Sequence, residues 1–404
     1  RGVLLCVAGS KLSLIAHGTN LPHPDKVAKG GEDAWFVRID AAGGGQMFLA
    51  DGVGSFNEQG IDPGLYARVL TYEAAKAHAG MAGNPLSRPD PKKVIAAAQE
   101  ATKLPGAATL VVIECDGTKL RAANLGDSGF RVVRGGAVIF ASPAQEHFFN
   151  CPFQLGYPPL SEDTDTADDA EVFDVAVAPG DIVILGSDGL FDNVFDEEIA
   201  SVATAAVASV RGAGALSAAR AVSEALAATA RKHAEDPMFE SPYAMDMAAD
   251  KAGGAGKAKQ SGPMGFFSKL VSGKKLGGKM DDITVVVGAV VATDSAKEDI
   301  AAAEKLSAKL QQEAEQVRKR AAGEEAKTLR SVNLRQQMDS ALKEKVAEIE
   351  AKETRAAAAP PEFAEADLAQ MDAATVRRLL DERGLATSGK LDRLRARLGE
   401  VRQR

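Results

Sequence analysis

Five acidic signatures carry what chemistry the chain can do: Gly31-Glu32-Asp33-Ala34, Ala50-Asp51-Gly52-Val53-Gly54, Asn124-Leu125-Gly126-Asp127-Ser128-Gly129, Gly186-Ser187-Asp188-Gly189-Leu190-Phe191-Asp192 and Lys279-Met280-Asp281-Asp282-Ile283-Thr284. Each sits at the expected end of a strand. Taken singly, an Asp-Gly pair after an apolar run reads as a plain turn. Taken together, strand ends can gather carboxylates distant in the chain into one pocket. Carboxylate and carbonyl oxygens suit hard divalent cations such as Mg²⁺ and Mn²⁺, and a set without His or Cys partners disfavours zinc. Glycine beside an aspartate lets the backbone approach an ion closely.

The elements that must position these acids follow from apolar patterning. Met47 to Ala50 is a short apolar run stopped by Asp51-Gly52. Ala108 to Cys115 and Leu120 to Leu125 flank Asp116-Gly117 and read as a hairpin. Phe130 to Phe140, interrupted by Arg134-Gly135-Gly136, reads as a second. Val172 to Val177 and Ile182 to Leu185, around Pro179-Gly180-Asp181, read as a third. Ile283 to Val291 is nearly continuous in β-branched residues, as for a strand buried on both faces. Helical stretches cover Pro63 to Ala79, Pro91 to Thr102, Asp196 to Val210 and Ser217 to Ala234. Hairpins with long helices between them predict an α+β fold of antiparallel sheets covered by helices, not a doubly wound parallel sheet.

In their order, the five signatures and His147-Phe148-Phe149-Asn150-Cys151-Pro152-Phe153-Gln154-Leu155 resemble the metal-dependent type 2C (PPM) serine/threonine protein phosphatases, over about Lys29 to Val291. The likeness is greatest to their mitochondrial and plastid branch. The resemblance implies a four-layer αββα sandwich and hydrolysis of phosphoserine or phosphothreonine by an activated water, without a protein nucleophile. It implies two Mg²⁺ or Mn²⁺ ions: Asp51 bridges them, the Gly52 carbonyl binds one, Asp188 and Asp281 complete the shell, and Glu32 and Asp33 act through waters. Asp127 matches the position holding a third, looser metal in some members, and Asp282 stands behind the ligands. Two departures are visible. Val53 occupies a position where many members have a His that could protonate the leaving oxygen. The family's early phosphate-binding Arg is not evident, with Lys29 nearby. By resemblance, His147 to Asp169 is a mobile flap beside the site, which would help select substrates.

Two other motifs fail on context. Gly126-Asp127-Ser128-Gly129 resembles the nucleophile loop of trypsin-like proteases, but His17, His23, His78, His147 and His233 lack the setting of a triad. Glu114-Cys115-Asp116-Gly117-Thr118 is similar to the loop of aspartyl-phosphate phosphatases, with Glu114 where the nucleophilic Asp belongs. His147 is expected to be a hydrogen-bonded structural residue.

Length and composition bound the remainder. At roughly 150 residues per domain, 404 residues predict two or three domains, and 45% hydrophobic content excludes global disorder. A net charge of −8 argues against a surface that binds nucleic acid throughout. The apolar run Ile283 to Ala292 falls well short of the ~20 residues that span a bilayer, so no membrane span is expected. Cys6, Cys115 and Cys151 read as reduced thiols. A soluble protein is expected, in a plastid or mitochondrion on the family resemblance, and Arg1 in place of Met leaves room for an upstream targeting segment.

Residues 1–293 form the expected catalytic domain, with Lys251 to Lys279 as a basic surface insertion holding seven lysines and no acid. Residues 294–361 read as a long exposed helix or weak coiled coil. Residues 362–404 form a small helical module in which Leu368, Val376, Leu379, Leu380, Leu385, Leu391, Leu394 and Leu398 recur at helical spacing around Thr387-Ser388-Gly389-Lys390. This module resembles a SAP motif, which is associated with DNA or RNA. Met371 to Arg404 holds nine basic and five acidic residues, and Lys390, Arg393, Arg395 and Arg397 are its candidate phosphate contacts. A helical hairpin for protein contact stands beside that reading. The expected partner of the catalytic domain is a phosphorylated Ser/Thr protein. A rival reading is a pseudophosphatase or scaffold that binds phosphoprotein or nucleic acid, against which stands the retention of Asp51, Asp188 and Asp281.

Overall fold

The computed structural model describes residues 11–39, 44–82, 89–160, 164–251, 277–358 and 363–399. Cys6 and positions 252–276 of the lysine-rich segment lie outside the described residues. The chain divides into two units, Arg1–Val332 and Asn333–Arg404.

In the first unit the chain enters through β1 (Leu12–Leu21), β2 (Ala34–Arg38) and β3 (Gly45–Ala50). After α1 (Pro63–Ala82) and α2 (Pro91–Ala101) come β4 (Ala107–Ala108), β5 (Leu110–Cys115), β6 (Leu120–Leu125), β7 (Gly129–Arg134) and β8 (Ala137–Ala141). The short β9 (Glu146–Phe148), β10 (Cys151–Pro152) and β11 (Leu155–Gly156) precede β12 (Glu171–Val175) and β13 (Ile182–Gly186). Next are α3 (Asp188–Phe191), α4 (Asp196–Ser209), α5 (Ala215–Glu235), α6 (Pro242–Lys251), β14 (Ile283–Ala292) and the start of α7 (Lys297–Ala358).

Two five-stranded sheets result, ordered β1-β14-β13-β7-β8 and β12-β6-β5-β3-β2. Their pairings are antiparallel. Met47, Leu49, Val111, Phe130, Leu185 and Val286 fill the space between the sheets. Tyr66, Leu70, Val94 and Ile95 of α1 and α2 cover one outer face; Ile199, Val222 and Leu226 of α4 and α5 cover the other. The architecture is the expected αββα sandwich. The β-branched run of β14 explains itself here: Ile283, Val285 and Val287 face the helices while Val286 and Val290 face the second sheet. A strand covered on both faces has no use for polar alternation.

The first two expected hairpins form, β5 with β6 and β7 with β8. The third does not. β12 pairs with β6, whereas β13 pairs with β7 and β14, so the chain crosses from one sheet to the other. The turn signal is still used. Asp181 accepts two 2.7 Å hydrogen bonds from Arg134 and one of 2.7 Å from the Ala178 amide, and the Gly180 amide donates to the Val290 carbonyl at 2.8 Å.

The helix after the sandwich is not exposed along its whole length. Ile300 and Ala303 pack with Ile15 and Ile39, and Leu310, Ala314 and Ala321 pack against the α1 core. Small alanines let the helix seat closely, which is why its apolar stripe looks thin in sequence. Arg318 Nε reaches Glu73 Oε1 of α1 at 2.8 Å, and its Nη1 reaches Glu325 at 2.7 Å. Farther along, in the second unit, Leu334, Met338, Leu342, Val346 and Ile349 are exposed. There α8 (Glu365–Gln370), α9 (Ala373–Asp381) and α10 (Leu391–Gly399) close around Leu368, Val376, Leu380, Leu394 and Leu398. The Asp372 carboxylate caps α9, accepting from the Thr375 amide at 2.7 Å.

Glu73 is buried, so removing its guanidinium partner leaves a carboxylate compensated only by the more exposed Lys76, 3.2 Å away. Arg318→Ala is expected to destabilise the protein by about 1–3 kcal/mol. Lys309→Ala, which breaks an exposed pair with Glu313, is expected to change stability by less than about 0.5 kcal/mol. Urea unfolding of the two variants checks this, and equal midpoints would refute the seating of α7 on α1.

Candidate metal centre

Strand register brings the acids together. Ala34 lies opposite Ala50 in the β2–β3 pair, so Asp33 and Asp51 leave that sheet side by side. In the other sheet Gly186 pairs with both Val285 and Gly129. Asp188, the Asp281-Asp282 pair and the Asp127-Ser128 turn therefore collect at one end of it. The loops need glycine where they do so. A Cβ on Gly52 would lie 2.7 Å from the Glu32 carbonyl oxygen and 2.8 Å from that of Pro63. One on Gly189 would fall 2.0 Å from the Asp282 carbonyl oxygen. No side chain fits at either position.

Residues beside the ligand candidates, some of them outside the motifs, lock this arrangement. The Asp51 amide donates to Thr109 Oγ1 at 3.1 Å, the Thr109 amide returns to the Asp51 carbonyl at 2.9 Å, and Thr109 Oγ1 meets Ser128 Oγ at 2.9 Å. Thr109 thus ties the Asp51 loop of one sheet to the Asp127 turn. Asp282 accepts from the His23 amide at 2.6 Å, the Glu32 amide at 2.9 Å and Lys26 Nζ at 3.2 Å. It pins the loop before β2 from behind. Asn193 grips the Lys279 backbone, donating to its carbonyl and accepting from its amide, each at 2.9 Å.

The electrostatics are those of crowded anions. Burial, followed by the charges of Asp33, Asp188, Asp281 and Asp127, holds the Asp51 carboxyl well above the usual range. Burial and the charges of Asp282 and Asp281 push Asp33 up to about 7. Burial and Asp188 raise Asp281 to about 6, although Lys279 and Lys26 pull the other way. Two ammonium groups lie among the acids. Lys26 Nζ is 2.7 Å from Glu32, 3.2 Å from Asp282 and 3.6 Å from Asp281. Lys279 Nζ is hydrogen-bonded to Asp188 and lies 3.1 Å from Asp192 and 3.6 Å from Asp281. Burial disfavours charge on both lysines, but their acidic neighbours outweigh it and raise both above the ordinary value.

Among the described residues, no three His, Cys, Asp or Glu side chains stand close enough together to hold an ion as they are. The donors nonetheless fit a hard cation. Both carboxylate oxygens of Asp33 and Oδ1 of Asp188 are buried without a hydrogen-bond partner, and such oxygens are costly unless a cation meets them. The donor set is oxygen throughout, as Mg²⁺ and Mn²⁺ require.

Other candidates lie elsewhere. Lys29 Nζ reaches only Asn57, at 3.5 Å and in an exposed position. Besides Lys26, Arg68 approaches the Glu32 loop, donating to the Gly31 carbonyl at 3.0 Å. Glu114 faces His78 at 3.4 Å inside the core. His147 bonds Asp165 at 3.0 Å and stacks on Phe153. The segment from β9 to β11 is anchored rather than loose: Leu155 and Gly156 pair with β4, whose Ala108 also bridges Gly52. A cavity of about 460 Å³ between α2 and residues 157–159 and 166–168 is lined by none of the acid cluster.

An unfolded Asp titrates near 4, whereas folded Asp33 titrates at about 7. Folding therefore disfavours its ionised form, and metal-free stability falls as pH rises through that window. In EDTA, Asp33→Asn is expected to raise the melting temperature most above about pH 7, with the gain fading toward about pH 4. A pH-independent gain, or a loss at high pH, would contradict the crowding.

No protein-family profile matches the chain. It is 39% identical over 285 residues to Probable protein phosphatase 2C 26 of Arabidopsis thaliana, which spans 70% of this chain and 86% of that protein. Identity to Probable protein phosphatase 2C 1 of Oryza sativa subsp. japonica is 37% over 283 residues, or 69% of this chain and 76% of the relative. The X-ray structure of the photosystem II phosphatase PBCP matches with a TM-score of 0.57 at 35% identity, covering 69% of this chain and 98% of that one. With relatives up to 39% identical and aligned over most of their own length, the chain belongs to the protein phosphatase 2C family of metal-dependent serine/threonine phosphatases.

Proposed function

We propose that the chain dephosphorylates phosphoserine and phosphothreonine in proteins at the acid cluster, with two Mg²⁺ or Mn²⁺ ions as cofactors. Asp51, the Gly52 carbonyl, Asp188 and Asp281 would hold them. Glu32 and Asp33 would act through waters, and Asp127 would serve a third, looser ion. Bound there, the ions supply Lewis acidity that activates a water and offsets charge on the phosphoryl oxygens. The protein's part is positional. Thr109 and Asp282 hold the loops that present the acids, and Lys26 and Lys279 neutralise charge the ions do not. Val53 has no proton to give, so water or another group would protonate the leaving alkoxide. The observation carrying this reading is that strand register gathers Asp33 and Asp51 at the end of one sheet and Asp188 and Asp281 at the end of the other, with both Asp33 oxygens and Asp188 Oδ1 buried and without a hydrogen-bond partner.

Residues 1–293 form the catalytic domain on this reading, 294–361 the helical connection and 362–404 a SAP-like module. Lys390 and Arg393 are exposed there, which supports phosphate contact. Arg395 and Arg397 donate to the carbonyls of Met371 and Ala386 and brace the module itself. Likeness to a photosystem II phosphatase supports a plastid. Among the described residues no helix is long and apolar enough to cross a membrane.

Hydrolysis of a phosphothreonine peptide should require Mn²⁺ or Mg²⁺, stop in EDTA and fall at least about a hundredfold in Asp188→Ala. Activity surviving both chelation and that substitution would refute the two-metal mechanism. For the module, salt-sensitive binding of DNA or RNA by the full chain should vanish when 363–404 is deleted; undiminished binding would eliminate it as the contact.

A further inference from the structure

The acid cluster has an aromatic shoulder that the metal chemistry does not use. Phe149, in the turn between β9 and β10, and Tyr243 of α6 place their ring centroids 5.5 Å apart. Lys279 Nζ lies 5.4 Å from the Tyr243 ring centroid and is the ammonium bonded to Asp188 and Asp192. Tyr243 is not loosely placed. Its amide donates to the Asp192 carbonyl at 3.1 Å, and Ser241 Oγ donates to the Gly277 carbonyl at 2.9 Å, tying the start of α6 to the segment that carries Lys279. The opposing loop is also held, by His147 on Asp165 and by the Asn150 amide on Glu146 Oε1 at 3.1 Å. Phe148, which precedes Phe149 in the chain, is 69% exposed.

We propose that Phe148, Phe149 and Tyr243 form a subsite for an apolar or aromatic side chain beside the phosphorylated residue of the substrate. This rests on the phosphatase reading of the acid cluster. An extended peptide advances roughly 3.3–3.6 Å per residue. With a phosphate at the cluster, the residue one or two positions along the chain reaches a ring that is a single side chain away from Asp188. Covering exposed aromatic surface then favours an apolar neighbour, on a platform held in advance of binding. A peptide recognised only through its phosphate would gain nothing from these rings.

The test uses the full chain with Mn²⁺ and two phosphothreonine peptides, one with leucine on both sides of the phosphothreonine and one with glycine. The readout is the ratio of their kcat/KM values on one enzyme preparation, which cancels any uniform loss of activity. The native chain should favour the leucine peptide by about tenfold, and Phe148→Ala combined with Tyr243→Ala should bring the ratio close to one. Phe148→Ser alone changes an exposed side chain and should lower the ratio measurably, which keeps the test valid if the double variant does not fold. A native ratio near one, or a ratio unchanged in Phe148→Ser and in the double variant, overturns the subsite while leaving the phosphatase reading intact. If the native chain hydrolyses neither peptide nor p-nitrophenyl phosphate with Mn²⁺, the phosphatase reading fails and takes the subsite with it.

Discussion

Carboxylates repel one another, and this fold forces a group of them together. Two like charges about 4 Å apart oppose each other by roughly 4 kcal/mol at an effective dielectric near 20. The cost is visible in the raised proton affinities of Asp33, Asp51 and Asp281. It is offset locally by Lys26 and Lys279, each of which lies against three acids. Divalent ions meet the same need more strongly and bring catalytic chemistry with them. The acids are therefore a strained set whose geometry is imposed by the scaffold, and the scaffold must be rigid enough to impose it.

That rigidity has an identifiable origin. Asp33 and Asp51 belong to one sheet and Asp188 and Asp281 to the other, so the packing between the sheets sets the distance between the two halves of the site. Met47, Leu49, Phe130, Leu185 and Val286 do this work, close to the strand ends that carry the acids. Thr109 and Ser128 add a polar link near the same edge. Close approach at Gly52 and Gly189 removes what slack remains. A cavity opened in the central core would thus be felt at the site without any change to a ligand.

The long helix extends this logic outward. Its first half seals the outer face of α1 through Leu310, Ala314, Ala321 and the Arg318–Glu73 pair. α1 in turn starts at Pro63, whose carbonyl faces Gly52, and carries Arg68, which holds the Gly31 carbonyl. The helix therefore bears on the element that backs two of the acidic loops. The second unit is a separate piece of packing, with its own apolar centre formed by Leu368, Val376, Leu380, Leu394 and Leu398.

Much of this is local and so could be read from the chain. Apolar runs and turn residues located β5, β6, β7, β8 and the helices α1, α2, α4 and α5, while the order of the acidic motifs pointed to the family. Pairing across sheets was not legible: β12 and β13 flank a sound turn signal yet join different sheets, because alternation specifies a buried face and not the neighbour that covers it. Nor were Lys26 and Thr109, ordinary residues made important by partners far away in sequence. The helix from Lys297 misled for a related reason, since alanines that look neutral in a sequence pack tightly once a groove exists to receive them. What the chain alone determined was the identity and order of its oxygen donors and the segments that carry them. Which donors share a space, which lysines stand between them and which aromatic rings edge the opening depended on tertiary packing, because contacts between distant segments are chosen by shape and charge in three dimensions.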